Sequence, residues 1–456
     1  MSYEQIETAL AHAGDTDEVL IGPGVVAQVG ASFRRLFGDA PAVVVGDEHT
    51  YGVAGRAVEQ SLAAQGQEMV DAYLFDGRPA LHADYRHIET LVASLREHDA
   101  IPVAVGSGTI NDIVKRSASE LGRRYLNVAT AASMDGYTAF GAAITREGYK
   151  QTMSCAAPRA VIADLDLLRT APPAMTSSGY ADLLGKVTAG ADWIIADELG
   201  VESIDESVWS LVQGPLRRAI GRPAELHAGD PGALDELIEG LIMSGLAMQA
   251  AQSSRPASGA EHQFSHLWEM EGLGQEQEPP LSHGFKVGLG SISIAALYER
   301  LLQRDLTQID IDEQCARWPV WADVEAEVRA AHTTPGLDAA AVRETQAKYA
   351  DRAQLRERLT LVCERWPHLS ERLRQQLLSA DELRRMLRAA GCPTSPAEIG
   401  LELPAFRETY RRARMIRRRY TVLDLVYEAG ILDECVDELF DPGGFWAPAA
   451  AVRRSP

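Results

Sequence analysis

Three histidines and one aspartate lie in segments that could together form a metal site. Asp182 lies in SGYADLLGK, His262 and His266 lie in SGAEHQFSHLWEM, and His283 lies in LSHGFKVGLG. One carboxylate with neutral imidazoles is a ligand set that suits Zn²⁺, Ni²⁺ or Fe²⁺ and leaves a coordination position for a substrate oxygen. His262 and His266 are one helical turn apart, so one can bind the ion while the other reaches the substrate. A single histidine more often has a structural role, but three within 22 residues favour a site.

A glycine-rich turn suggests a second, phosphate-binding function. The segment IPVAVGSGTINDIVKR places Gly106, Ser107 and Gly108 between an apolar strand and a helix. Backbone N–H groups at the start of a helix, together with the helix dipole, favour a pyrophosphate. The spacing is not the full G-x-G-x-x-G fingerprint, so a tight turn without a ligand stays open. Asp47, at the end of the apolar run AVVVGD, could hold a ribose hydroxyl pair or cap the following turn.

Further polar side chains follow the next apolar run. In NVATAASMDGYTAFGAAI, Thr130 and Ser133 offer hydroxyl groups, and Asp135 offers a carboxylate among small residues. Small residues beside one acidic group suit a site where a flat ring and a polyhydroxy substrate come close together. The alternative for Asp135 is an Asx-turn, in which its side chain only bonds the local backbone.

The elements that must position these residues fall into two classes. The predicted strands are 42–47, 68–75, 101–106, 125–130 and 160–168, separated by helical patterns that include 82–97 and 109–121. Continuous apolar strands between amphipathic helices predict a parallel, doubly wound sheet that binds ligands beyond the carboxyl ends of its strands. From about residue 178 the predicted elements are all helices, at 178–196, 233–253, 283–302, 320–331, 338–363 and 406–438. We therefore expect an α/β N-terminal domain, 1–175, and an all-helical C-terminal domain, 176–456, that binds metal and substrate.

Composition narrows the class of protein. The chain has 456 residues, a formal net charge of −21 and five scattered cysteines. This charge makes a nucleic-acid partner improbable, and the cysteine spacing suggests neither a disulfide framework nor a cysteine zinc site. The start lacks a signal-peptide pattern and the chain lacks a long apolar run, so we expect a cytoplasmic protein without a membrane partner. The run RRARMIRRR, from Arg411 to Arg419, is interpreted as a solvated or ion-paired helix face.

The motifs taken together resemble a known family. GSGTIND, TAASMDGYTAFGAAI, SGYADLLGKVTAGADW, SGAEHQFSHLWEM, HGFKVGLG, PTSPAEIGL and RRRYTVLDLVYEAG carry the resemblance, which spans nearly the whole chain. They are similar to the bacterial branch of the sn-glycerol-1-phosphate dehydrogenases, in the iron-containing alcohol dehydrogenase and dehydroquinate synthase superfamily. The resemblance implies a dehydroquinate synthase-like fold, with a Rossmann-like N-terminal domain and a helical metal domain on either side of the active site.

The resemblance also implies residue roles. Asp182, His262 and His283 would bind one divalent ion, Zn, Ni or Fe, and Asp135, His266 and Asp182 would contact the substrate, with Asp182 and His266 as the catalytic residues. The implied NAD(P)-binding residues are Asp47, Gly106, Ser107, Gly108, Thr109, Ile110, Thr130, Ala131, Ala132 and Ser133. No motif fixes the residues that bind the phosphate of the substrate.

The implied activity is the reversible NAD(P)- and metal-dependent reduction of dihydroxyacetone phosphate to sn-glycerol 1-phosphate, by hydride transfer at C2. Its partner is then a small phosphorylated substrate, and a homo-oligomer is a possible assembly. Three alternatives stay open: a dehydrogenase of an unphosphorylated polyol or alcohol, a cyclase of the dehydroquinate synthase type, and a nucleotide-binding sensor without catalysis. Net consumption of NADH separates the dehydrogenases from the cyclase, and metal content separates the enzymes from the sensor.

Overall fold

The N-terminal part of the chain is built on a six-stranded parallel sheet. The computed structural model describes residues 4–146 and 149–447. The strand order is β1-β8-β5-β4-β2-β3, and every neighbouring pair is parallel. The strands of this sheet are β1 Glu18–Gly22, β2 Ala42–Asp47, β3 Tyr73–Phe75, β4 Ile101–Gly106, β5 Leu126–Ala129 and β8 Ala160–Asp164. An antiparallel pair, β6 Ala142–Arg146 and β7 Tyr149–Met153, forms a separate hairpin.

Helices cover the sheet on both faces, as its uninterrupted apolar strands require. The helices of this part are α1 Glu4–Leu10, α2 Val29–Phe37, α3 Glu48–Thr50, α4 Arg56–Ala64, α5 Tyr85–Leu95, α6 Gly108–Glu120 and α7 Leu165–Leu168. Because side chains alternate along a strand, Val44 packs with α2 and α4, whereas Val43 and Val45 pack with α5 and α6. The doubly wound prediction is confirmed.

The rest of the described chain is helical. Its helices are α8 Pro173–Leu184, α9 Lys186–Glu198, α10 Glu206–Ala219, α11 Pro223–His227, α12 Pro231–Ala251, α13 Ala260–Met270, α14 His283–Leu301, α15 Ile311–Arg317, α16 Trp321–Ala331, α17 Leu337–Gln346, α18 Arg352–Gln376, α19 Ala380–Ala389, α20 Leu403–Arg412, α21 Val422–Glu428 and α22 Leu432–Phe440. Their apolar faces share one core, which also takes in Val161 and Ala163 of β8. The division at residues 175 and 176 stays a prediction, because one core runs across it.

Several predicted boundaries were wrong for identifiable reasons. Within the run 160–168, the strand ends at Asp164. The Asp164 carboxylate accepts hydrogen bonds from backbone N–H groups in the first turn of α7 and so begins that helix. The predicted helix 338–363 is two helices, since Asp351 forms a capping box that starts α18. The run 68–75 contributes only the short edge strand β3. Strand β1 and the hairpin of β6 and β7 were not predicted.

The arginine-rich stretch pairs with the protein's own carboxylates. Arg411 lies 2.7 Å from Asp433, and Arg418 lies 2.8 Å from Glu344. The ion-paired interpretation of this stretch is therefore confirmed for these side chains. In the described ranges, no helix combines the length and the apolar character needed to cross a membrane.

Candidate metal and dinucleotide site

Three proposed metal ligands from three helices meet in one cluster. Asp182 lies on α8, His262 lies on α13, and His283 is the first residue of α14; one donor atom from each lies within 4.8 Å of the others. His262 Nε2 is 3.4 Å from Asp182 Oδ1. Donor atoms around one tetrahedral ion, each at about 2.1 Å from it, stand about 3.4 Å apart. The residues present therefore fit a divalent ion in both donor chemistry and spacing.

Each histidine of this cluster is oriented by a buried carboxylate. His262 Nδ1 is 2.7 Å from Glu261 Oε1, and His283 Nδ1 is 2.9 Å from Glu269 Oε1. A carboxylate accepts, so each Nδ1 carries the hydrogen and each Nε2 keeps its lone pair. Carboxylate and histidine pairs of this kind fix the tautomer and ring orientation of metal ligands. The geometry thus presents Nε2 of both rings as the donor atoms.

These two carboxylates are charged despite their burial. Burial alone would raise the pKa of Glu269, but Lys150, at 2.9 Å, together with His283 and Lys286 holds that pKa well below its usual value. Burial would likewise raise the pKa of Glu261, and the bond to His262 lowers it instead. Lys150 lies on β7, so the Lys150–Glu269 pair joins the hairpin to the helix that carries His262.

Lys186 bridges Asp182 to Asp135, the acidic residue predicted to contact substrate. Its Nζ is 2.7 Å from Asp182 Oδ1 and 2.8 Å from Asp135 Oδ2. The Ser244 hydroxyl also donates to Asp135 Oδ2 at 2.8 Å, so this carboxylate makes tertiary bonds rather than the alternative Asx-turn. Burial would raise the pKa of Asp182, and the Lys186 ammonium outweighs that effect and lowers it. The negative charge that a metal ligand needs is therefore stabilised.

His266 lies at the edge of the cluster and not among the three ligands. Its ring centroid is 5.8 Å from that of His283 and 5.9 Å from that of His262. Arg417 Nη2 is 3.4 Å from His266 Nδ1. Burial first, and then the Arg417 charge, lower the pKa of His266 well below its ordinary value. His266 is thus neutral at physiological pH, with Nδ1 turned toward a cationic donor.

The predicted dinucleotide residues lie at the carboxyl ends of three strands. Ser107 is the N-cap of α6, directly after Gly106 ends β4, and Thr130 N donates to Gly106 O at 3.2 Å. Asp47 ends β2, and its Oδ1 accepts from Thr50 N at 2.8 Å. The capping alternative for Asp47 is therefore observed, whereas its ribose contact stays a prediction.

The loop after β5 joins the dinucleotide segments to the metal cluster. The Ser178 hydroxyl donates to Ser133 O at 3.2 Å, and Asp135 N donates to Asp182 Oδ2 at 3.2 Å. A Cβ on Gly179 would lie 2.0 Å from Ala132 O, so only glycine allows α8 this close to the loop. A ligand beyond the end of β5 therefore lies beside the cluster.

Sequence reasoning missed three residues of the site. Glu261 and Glu269 were not singled out, although Glu261 directly precedes His262. Arg417 was treated only as part of a charged run, and no local signal connects it with His266, which lies 151 positions earlier. Lys186 pairs with Asp135 and Asp182, and Lys286 pairs with Glu269.

Comparisons with known proteins agree with this fold. Residues 20–172 match the family model described as iron-containing alcohol dehydrogenase. The chain is 38% identical to the NAD(P)+ glycerol-1-phosphate dehydrogenase of Halalkalibacterium halodurans over 56% of this chain and 64% of that one. It is 30% identical to the enzyme of the same name from Bacillus licheniformis over 92% of this chain and 91% of that one.

A solved structure extends the similarity to the architecture. The crystal structure of a probable glycerol dehydrogenase from Sinorhizobium meliloti 1021 superposes with a TM-score of 0.60 at 17% identity. The superposition covers 93% of this chain and 98% of that one, and at this identity it bears on the fold alone. Full-length similarity at 30% identity bears on the family as well. The chain belongs to the glycerol-1-phosphate dehydrogenase family, within the iron-containing alcohol dehydrogenases.

Proposed function

We propose that the protein is an oxidoreductase that reduces dihydroxyacetone phosphate to sn-glycerol 1-phosphate with NADH or NADPH, reversibly. The observation that carries this proposal is the meeting of Asp182, His262 and His283 beside the loop that follows β5. An ion held by this cluster would act as an electrophile toward a ketone, and it would lie next to the strand ends where a nicotinamide cofactor binds in a doubly wound fold. The names of the relatives supply the substrate and the cofactor.

Asp182, His262 and His283 are the residues that we propose to hold a divalent ion, Zn²⁺, Ni²⁺ or Fe²⁺. When bound, such an ion supplies Lewis acidity toward the ketone oxygen. Glu261 and Glu269 keep the two imidazoles aimed at the cluster. These carboxylates contribute by positioning the ligands.

The proton that completes the reduction passes, in this proposal, through His266. Arg417 donates toward Nδ1, so the neutral ring carries its hydrogen on Nε2. A bound nicotinamide would supply hydride to C2 of the ketone, and the C2 oxygen would take its proton from His266 Nε2, which regains one from solvent, or from a water next to it. Asp135 is the second group that we propose to contact the substrate hydroxyl.

A metal-retention experiment on His283 tests this assignment. We expect His283→Ala to lose bound metal after dialysis against a chelator and to lose turnover, because two remaining ligands hold an ion poorly. Metal content and NADH oxidation with dihydroxyacetone phosphate are the two measurements. His368→Ala, which removes a side chain that is 71% exposed, is the matched control and should retain both. A metal-free His283→Ala enzyme with full activity would contradict the proposal.

A further inference from the structure

Building on the proposed function, we propose that Arg417 binds the phosphate group of the substrate and thereby selects phosphorylated over unphosphorylated ketones. No motif in the sequence marks the residues for this role. Arg417 lies beside His266, whose ring in turn neighbours His262 and His283.

The position of Arg417 matches the length of the substrate. His283 and His266 are stacked at 5.8 Å, and Arg417 Nη2 lies 3.4 Å from His266 Nδ1. His266 therefore neighbours both His283 of the cluster and Arg417. A ketone oxygen at the cluster leaves the other end of a three-carbon phosphate ester near the guanidinium, with His266 beside the carbon chain.

The segment that carries Arg417 is held firmly on both sides. Arg418 is bonded to Glu344 twice, because its backbone N–H donates at 2.9 Å and its guanidinium donates at 2.8 Å. Arg419 donates to Ser258 O at 2.6 Å, and Arg419 O accepts from Gln263 Nε2 at 3.3 Å. Gln263 follows His262 on α13, so these bonds fix the segment relative to the cluster. Such preorganisation lowers the entropy cost of binding.

The lysines near the cluster are poorly placed for the phosphate. Lys186 has no exposed side-chain surface and lies on two aspartates. Lys286 is 5% exposed and donates to Leu281 O at 3.0 Å. Lys150, although 26% exposed, is bonded to Glu269 at 2.9 Å. A dianionic phosphate in a protein of net charge −21 requires local positive charge, and arginine supplies it as a planar set of donors.

The experiment compares two substrates in four proteins. Initial rates of NADH oxidation give kcat/KM for dihydroxyacetone phosphate and for dihydroxyacetone in the wild type, Arg417→Ala, Arg417→Lys and Arg418→Ala. We expect Arg417→Ala to lower kcat/KM for the phosphorylated ketone about 10- to 100-fold, as loss of a charged hydrogen-bond partner does. The value for dihydroxyacetone should fall less than that for the phosphorylated ketone, because this substrate loses only the Arg417 bond that orients His266 and has no phosphate contact to lose.

Two further variants and one inhibitor test whether the effect depends on the Arg417 guanidinium and on the phosphate group. Arg417→Lys should be intermediate. Arg418→Ala removes a 68% exposed side chain but keeps the backbone N–H bond to Glu344 that anchors the segment, so it should lower both values equally and by less than Arg417→Ala lowers the value for the phosphorylated ketone. Inorganic phosphate should compete with dihydroxyacetone phosphate in the wild type and lose that effect in Arg417→Ala. Equal losses on both substrates, or no loss on either, would overturn the role of Arg417 while leaving the proposed function standing. A wild type that reduces only the unphosphorylated ketone would refute the proposed function and this inference together.

Discussion

At the scale of single residues, the site depends on charges that are buried in pairs. Lys186 lies between Asp135 and Asp182, and Glu269 lies between Lys150 and His283. An isolated buried charge would be very costly, whereas these groups satisfy one another at hydrogen-bond distance. The neighbouring charged groups therefore hold the proposed metal ligands in position before any ion binds.

The cofactor preference is predicted at the same scale. A carboxylate about 4 Å from a 2′-phosphate costs on the order of 4 kcal/mol at an effective dielectric constant of about 20. We therefore expect Asp47 to make the wild type prefer NADH over NADPH. Asp47→Ser should reduce that preference, and serine still caps α3. The ratio of kcat/KM for the two cofactors is the measurement, and a ratio that is near one in the wild type would show that Asp47 does not contact the ribose.

At the scale of elements, the helices around the site approach one another through glycines. A Cβ on Gly284 would lie 1.9 Å from Ser178 O, so α14 begins in contact with α8. Gly290 of α14 packs against Glu261 in the same way, because a Cβ on Gly290 would lie 2.6 Å from Glu261 O. These contacts bring His283 within reach of Asp182 and His262.

We predict that Gly284→Ala displaces the start of α14. The added methyl group cannot fit against the Ser178 backbone, and such overpacking typically costs about 1–3 kcal/mol. Thermal unfolding should show a lower Tm, and metal retention should fall with it. Gly214→Ala is the control, because a Cβ there meets no atom within 4 Å in the exposed middle of α10. Equal Tm values for the two variants would contradict the prediction.

Sequence patterns predicted the helices and strands more accurately than the contacts between them. The runs 42–47 and 101–106 are strands with the predicted ends, because uninterrupted valine and alanine runs suit a sheet buried on both faces. The hairpin of β6 and β7 was missed, because the first residues of β6 were assigned to the loop after β5 and no strand was predicted at β7. The Arg417–His266 and Lys150–Glu269 contacts could not be read from spacing, because they depend on how distant helices and strands pack.

At the scale of the whole molecule, stability should depend on pH through one buried histidine. His332 has no exposed surface, and burial, with the nearby Arg412, lowers its pKa to about 4. The unfolded chain takes up this proton near pH 6.5, whereas the folded protein does so only near pH 4. The free energy of unfolding is thus unaffected above pH 6.5 and falls below it, by about 2 kcal/mol at pH 5.

Urea unfolding of the wild type and of His332→Leu at pH 8 and pH 5 measures this effect. Leucine fills a similar volume and does not titrate, so the variant should lose less stability on acidification by about 2 kcal/mol. Other titrating groups are common to both proteins and cancel in the comparison. A stability difference that is the same at both pH values would contradict the prediction.

The burial of the lysines has a practical consequence for handling this protein. Lys115 and Lys186 have no exposed side-chain surface, Lys286 and Lys348 have 5% and 9%, and Lys150 has 26%. The sequence contains no other lysine. The lysine side chains of the native enzyme should therefore react poorly with amine-reactive dyes and aldehyde-activated supports. Arginine-directed coupling is the better choice for attachment, and the rate of lysine acylation reports how often the native fold opens locally.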